Sequence, residues 1–158
     1  MERILANVPE GFVARPLQPD DYDKGYFELL QDLTVAPQIP RGKFQEIYSK
    51  LSNYPYFIVV LEDTTTQKLA GSGTLFVEHK FIRGGGKVGH IEDIVVGKNY
   101  QKRGLGKRVI EILTGIAKFQ SCYKVLLDCD QDVAKFYEKC GYKQKGVWMS
   151  LYFDSPSL

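Results

Sequence analysis

The spacing of apolar residues changes character several times along the chain, and each change marks an element. Gly11–Pro16 reads as a first strand. Asp20 and Asp21 carry the side-chain oxygens of helix caps, and a helix is predicted from there to about Leu33, with Tyr26, Leu29, Leu30 and Leu33 on one side. Pro37 and Pro40 end it. Lys43–Leu51 repeats the helical spacing at Phe44, Ile47, Tyr48 and Leu51, until Asn53 and Pro55 stop it. Tyr56–Leu61 is β-branched and aromatic, which predicts a buried strand. Asp63–Gln67 is turn-like, and Leu69–Ile82 continues as a long strand, so the two form a hairpin. Gly84–Gly86 predicts a flexible turn into a strand at His90–Val96.

Gly104–Lys118 carries the clearest helical pattern. Leu105, Val109, Ile112, Leu113 and Ile116 share one side, and Lys107, Glu111, Thr114 and Lys118 the other. Lys124–Asp128 predicts a short strand, Val133–Lys139 a short helix stopped at Gly141, and Val147–Phe153 a terminal strand. The order β-α-α-β-β-β-α-β-α-β predicts an α/β fold with one mixed, mostly antiparallel central sheet flanked by helices, in a single domain over residues 1–158.

Composition narrows the function classes. A chain of 158 residues suits one domain, and 44% hydrophobic with 25% charged residues excludes disorder as its main state. Lys plus Arg number 21 against 19 for Asp plus Glu, a balance that argues against a nucleic-acid or anionic-membrane coat but leaves room for a small basic pocket. Cys122, Cys129 and Cys140 show no CxxC spacing, and His79 and His90 lie far upstream, so no metal site is expected and reduced thiols are. The start lacks the apolar core of a signal peptide and no run is long enough for a membrane span, so a cytoplasmic enzyme or binding module is expected.

Two glycine-lysine pairs fail as P-loops: Lys87 is followed by Val88 and Lys107 by Arg108, where the motif needs Ser or Thr. The dinucleotide fingerprint fails too, because Val109 stands where a third glycine belongs. What remains is a strand, then Gly97–Lys107, then an amphipathic helix. Glycines at 104 and 106 permit close approach of a ligand, the helix start offers unpaired N–H groups, and Lys98, Lys102, Arg103, Lys107 and Arg108 add charge. A pyrophosphate cradle and a plain solvated basic loop both fit this segment. Glu92 and Asp93 are adjacent acids in an apolar strand, where alternation sends them to opposite faces; they read either as a site or as edge-strand acids paired with lysines.

Gln101-Lys-Arg-Gly-Leu-Gly106 resembles the Q/R-x-x-G-x-G/A signature of the GNAT acetyltransferase superfamily. Gly89–Val96, Cys122–Cys129, Lys135–Gly141 and Glu78–Ile82 are similar to blocks of its glucosamine 6-phosphate N-acetyltransferase branch, and the similarity runs from about Val13 to Phe153. That resemblance implies direct transfer of acetyl from acetyl-coenzyme A to the 2-amino group of glucosamine 6-phosphate in a ternary complex, on the route to UDP-N-acetylglucosamine, with no metal. It implies coenzyme contacts at Ile94, Val95, Val96, Gln101, Lys102, Arg103, Gly104, Leu105, Gly106, Lys107, Tyr137 and Lys139. Tyr137 takes the role of donating its phenolic proton, or a hydrogen bond, to the departing sulfur, and a backbone N–H around Ile94–Val96 polarises the thioester. Glu92, Asp93 and Asp128 belong to the amino-sugar site, with Glu92 and Asp128 as the catalytic carboxylates: Glu92 as base or water-mediated proton acceptor, Asp128 to hold the sugar amine or to orient Tyr137. Thr34 matches a substrate contact, and Lys80 and Arg83 are the candidates for the sugar phosphate. Many relatives carry a basic residue near the C-terminus that meets the sugar phosphate, but no Lys or Arg follows Lys145 here, so that contact is either absent or made by Tyr152. A homodimer with the C-terminal strand at the interface is implied, and no nucleic-acid partner.

Overall fold

The computed structural model describes residues 2–153, without the side chain of Glu2. Its elements run α1 (Glu2–Leu5), β1 (Phe12–Pro16), a 3-10 turn at Pro19–Asp23, α2 (Tyr26–Gln31), α3 (Arg41–Leu51), β2 (Tyr56–Asp63), β3 (Leu69–His79), a short turn α4 (Ile82–Gly85), β4 (Lys87–Val96), a 3-10 turn at Lys98–Tyr100, α5 (Leu105–Phe119), β5 (Cys122–Leu126) and α6 (Ala134–Lys139). The sheet order is β1-β2-β3-β4-β5, antiparallel except for the last pair, where β5 runs parallel to β4. The chain forms two compact units, Met1–Leu127 and Asp128–Leu158; the first holds the whole sheet.

Helix α5 owes its place to its apolar face: Leu105, Val109, Ile110, Ile112, Leu113, Ile116 and Ala117 are all buried. Each large aliphatic side chain so buried stabilises the fold by roughly 1.5–3 kcal/mol. A second core gathers Leu17, Phe27, Leu29, Phe44, Val60, Leu69 and Val95, with Tyr22, Tyr26, Tyr48 and Ile58 packed against it. Between β1, the 3-10 turn and β2 lies an ion cluster. Arg15 donates twice to the fully buried Asp21, at 2.7 and 2.6 Å, and to Glu62 at 3.0 Å, while Lys24 reaches Glu62 at 3.1 Å.

Three expectations change. The single helix expected to run to Leu33 is split by Gly25, whose left-handed backbone (φ 88°) separates the 3-10 turn from α2. Asp21 still accepts from the Gln18 N–H at 2.8 Å, but its main partner is Arg15. Strand β3 stops at His79 rather than Ile82, because the segment after it turns back: the Lys80 N–H donates to the Gly86 carbonyl at 2.8 Å. The terminal strand at Val147–Phe153 does not form. Among the described residues no strand registers with this segment, so its backbone has no ladder to join, and Val147, Trp148, Met149, Leu151, Tyr152 and Phe153 stand exposed. No helix among the described residues is long and apolar enough to cross a membrane.

Candidate active site

The first feature is a fault in the ladder between β3 and β4. Thr74 pairs with Glu92 and Ser72 with Val95, so the single residue Gly73 faces both Asp93 and Ile94. This is a β-bulge on β4, and Asp93 takes the left-handed conformation it needs, with φ 53°. The bulge overturns simple alternation: Glu92 and Asp93 are both exposed instead of facing opposite sides of the sheet. Sequence reading missed Gly73, whose role is steric. A Cβ there would lie 2.4 Å from Ile94 Cδ1, 2.7 Å from Val109 Cγ1 and 2.9 Å from Leu113 Cδ1. Its signal was a glycine inside an otherwise strand-forming run.

The second feature is the edge beyond the bulge. Strand β5 registers only with Lys87–His90 of β4, so at Ile94–Val96 no strand among the described residues lies along the edge away from β3. Backbone N–H and C=O groups on that edge are available to a ligand that lies beside them as a strand would.

The third is the turn that follows. Gly97–Tyr100 is pinned at two points. The Lys98 N–H donates to Asp32 Oδ2 at 2.8 Å and its ammonium sits 3.0 Å from Oδ1; the Tyr100 hydroxyl donates to Asp63 Oδ2 at 3.1 Å. Both carboxyls are held below their usual range, Asp32 by the Lys98 N–H first, and Asp63 by the Thr65 N–H first with Tyr100 adding to it. Beyond this anchor Lys102 (φ 63°) and Gly104 (φ 78°) are both left-handed, a backbone pattern that forms anion-binding concavities. Gly104 then caps α5, whose first N–H groups have no acceptor within the helix.

The basic residues of this loop divide. Arg108 turns away to donate to the Ile4 carbonyl at 2.8 Å and to that of Ala6, Lys98 is held by Asp32, and Lys107 lies 3.7 Å from Glu111. Lys102 and Arg103 form no ion pair among the described residues, although Arg103 sits over the Tyr100 ring at 5.5 Å. Gln101, Lys102, Arg103 and Gly104 are exposed, whereas the Leu105 side chain belongs to the core, which leaves its backbone for a ligand. The loop therefore fits a pyrophosphate: oriented N–H groups, two uncommitted cations and glycines at the point of approach.

Lys80 and Arg83 sit in the connection between β3 and β4. The Lys80 ammonium is 2.5 Å from Glu78 Oε1. Arg83, Gly84 and Gly85 are left-handed in succession, an unfavourable conformation for arginine, in a segment where Phe81 is fully exposed. Thr34 lies just past α2, exposed, its N–H on the Leu30 carbonyl at 3.1 Å.

The second unit carries Asp128, Tyr137 and Lys139. Tyr137 lies on α6, half-buried, edge-on to Phe136 (5.1 Å) and Tyr142 (6.3 Å). Burial first, then the neighbouring Cys129, Cys140 and Asp128, push its phenol up to about 12, so it stays protonated at neutral pH. Asp128, Cys129 and Lys139 are exposed. Burial and the nearby Asp128, Asp130 and Asp132 raise the Cys129 thiol, which disfavours the nucleophilic thiolate. Among the described residues no group of His, Cys, Asp and Glu side chains could hold a metal ion.

A strand, a glycine turn and the helix that the turn caps are the parts that the sequence signature anticipates; the bulge and the open edge come from the fold alone. The family model described as "Acetyltransferase (GNAT) family" matches residues 20–142. The chain belongs to the GNAT acetyltransferase family. It is thus an enzyme of the acyltransferase class, whose members use acetyl-coenzyme A as cosubstrate. It is 47% identical to "Glucosamine 6-phosphate N-acetyltransferase 1" of Dictyostelium discoideum over 151 residues, 94% of this chain and 96% of that protein. It is 43% identical to "Glucosamine 6-phosphate N-acetyltransferase" of Candida albicans over 148 residues, 92% of this chain and 99% of that one. The crystal structure of glucosamine-6-phosphate N-acetyltransferase from Arabidopsis thaliana superposes with a TM-score of 0.89 at 41% identity, covering 92% of this chain and 100% of the other.

Proposed function

We propose that this enzyme transfers acetyl from acetyl-coenzyme A directly to the 2-amino group of glucosamine 6-phosphate, giving N-acetylglucosamine 6-phosphate for UDP-N-acetylglucosamine synthesis in the cytoplasm. The observation that carries the reading is the bulge at Asp93: it exposes two acids side by side on the strand that leads straight into the left-handed turn at Lys102 and Gly104. An amine acceptor is a cation in water and calls for carboxylates; a pyrophosphate calls for the turn.

In this reading the turn and the first N–H groups of α5 hold the coenzyme's pyrophosphate, and a backbone N–H at Ile94–Val96 donates to the thioester oxygen as negative charge gathers there. Glu92 and Asp128 bind the sugar amine, and one of them receives its proton, directly or through water, so that the nitrogen lone pair attacks the carbonyl carbon. As the carbon–sulfur bond breaks, the Tyr137 hydroxyl gives its proton to the leaving sulfur, and the second proton of the amine, lost as the amide forms, returns the phenol to its neutral state directly or through water. The raised phenol supports that role, since the proton is still in place at working pH. Asp93 and Thr34 line the sugar, Lys139 adds a coenzyme contact, and Lys80 and Arg83 take the phosphate. Tyr152 stands in for the C-terminal base that this chain lacks.

Support for a homodimer comes from the tail. Val147–Phe153 is apolar and aromatic, exposed along its length, and forms no strand within its own chain. A second copy that paired with it would cover those side chains and satisfy the backbone.

Thiol release from acetyl-coenzyme A, with glucosamine 6-phosphate, plain glucosamine and spermidine compared, tests the proposal. Turnover is expected with the phosphorylated sugar in clear preference to the other two. Equal turnover of the two sugars would remove the phosphate contacts at Lys80 and Arg83, and a preference for spermidine would overturn the substrate class.

A further inference from the structure

The register of the sheet sets three rings in a row. Tyr56 pairs with Phe76 across β2 and β3, and Phe76 with His90 across β3 and β4. The rings stack, Tyr56 on Phe76 at 5.2 Å and 25°, and Phe76 on His90 at 5.3 Å and 27°. Stacking fixes the plane of the imidazole, and His90 Nε2 lies 3.0 Å from Glu78 Oε2. The other oxygen of Glu78 accepts from the Lys80 ammonium at 2.5 Å. Lys80, and after it His90, hold the Glu78 carboxyl below its usual range. Glu78 is thus an acceptor on both oxygens, so His90 meets it as a donor through Nε2–H.

We infer that Glu78 and His90 are positioning residues, which hold the Lys80 ammonium in one place for the phosphate of the substrate and so set the KM for the phosphorylated sugar. The inference rests on the proposed function, in which Lys80 is a phosphate contact. Its physical basis is the freedom of lysine. A four-carbon stem samples many rotamers, and a site that must order it on binding loses affinity in proportion. Here the stem is ordered in advance: the Lys80 N–H is tied to the Gly86 carbonyl and the ammonium to Glu78. One of the three ammonium donors goes to Glu78, which leaves two for phosphate oxygens. His90 occupies the second oxygen of Glu78 and keeps the carboxylate from rotating, and the ring stack keeps His90 from rotating in turn.

The experiment measures KM for glucosamine 6-phosphate, kcat, and the Kd of acetyl-coenzyme A in the full chain and four variants. Glu78→Ala and His90→Leu are expected to raise that KM about tenfold, the loss of a charge-assisted hydrogen bond, with kcat and coenzyme affinity held within about twofold. His90→Gln keeps an N–H donor near the same place and is expected to restore KM toward wild type. An unchanged KM in Glu78→Ala and His90→Leu overturns the inference. So does a loss of coenzyme affinity and kcat in step with KM, which is the signature of a merely structural role. Lys80→Met separates the two claims. If it leaves KM unchanged, the phosphate reading of Lys80 fails and the inference falls with it. If it raises KM while Glu78→Ala and His90→Leu do not, the phosphate reading stands and the positioning role is refuted.

Discussion

Gly73 has no side chain, and the exposed pair Glu92 and Asp93 depends on that. Three methyl carbons, from Ile94, Val109 and Leu113, close to within 2.4–2.9 Å of where its Cβ would be. Gly73→Ala is expected to cost about 1–3 kcal/mol of stability, read as a drop in the urea midpoint, and to lower activity by disturbing the bulge opposite. A variant as stable and active as wild type would show that the ladder fault does not depend on this glycine. Tyr137 is legible from the sequence by resemblance, but its protonation is not, because burial is a property of the fold. Tyr137→Phe is expected to lower kcat by roughly 10- to 100-fold while acetyl-coenzyme A binds with nearly unchanged Kd. With the phenol up at about 12, ionisation of Tyr137 is expected to leave kcat flat through pH 9; a loss of kcat from Tyr137 ionisation near its ordinary value of 10 would contradict this.

Elements were readable where one face is buried and illegible where a single backbone angle decides. The burial face of α5 and the strands β2–β4 follow directly from apolar spacing. The break at Gly25 and the bulge at Asp93 each hang on one left-handed residue, and the turn after Gln101 on two, Lys102 and Gly104, which no periodicity records. The missing strand at Val147–Phe153 has a different cause: its pattern is strand-like, but a strand exists only with a neighbour to bond. The anchoring of Gly97–Tyr100 by Asp32 and Asp63 was also hidden, since both acids are distant in sequence. Asp32→Ala removes the acceptor of the Lys98 N–H and is expected to raise the KM for acetyl-coenzyme A by roughly three- to tenfold with little change in kcat. An unaltered KM would show that the turn keeps its shape without this anchor.

At the scale of the whole molecule, the ion cluster of Arg15, Asp21, Glu62 and Lys24 ties β1 and β2 to the turn before α2. Arg15→Met leaves the buried Asp21 carboxyl with its bidentate partner gone, and is expected to destabilise the fold by about 3–5 kcal/mol. Acid acts on the same kind of contact. Burial alone would raise the Glu62 carboxyl, but hydrogen bonds from Arg15 and Lys24 outweigh it; Asp32, Asp63 and Glu78 are likewise held below ordinary values of 3.8 and 4.5. A carboxyl lowered by folding contributes stability that is complete above its unfolded value and is lost as pH falls through its folded one. The melting temperature is therefore expected to hold from neutral pH down to about 4.5 and to fall below it. Solution scattering is expected to give twice the chain mass; a monomer would remove the proposed role of the tail as an interface.

The central claim is transfer of one acetyl group from sulfur to one sugar nitrogen. Acetyl-coenzyme A labelled at the carbonyl carbon, mixed with enzyme and glucosamine 6-phosphate and followed by carbon NMR, tests it most directly. The label is expected to move from the thioester to an amide signal on the sugar phosphate as free coenzyme A accumulates. Label that ends as free acetate, or that stays on the thioester with glucosamine 6-phosphate and enzyme both present, would contradict it.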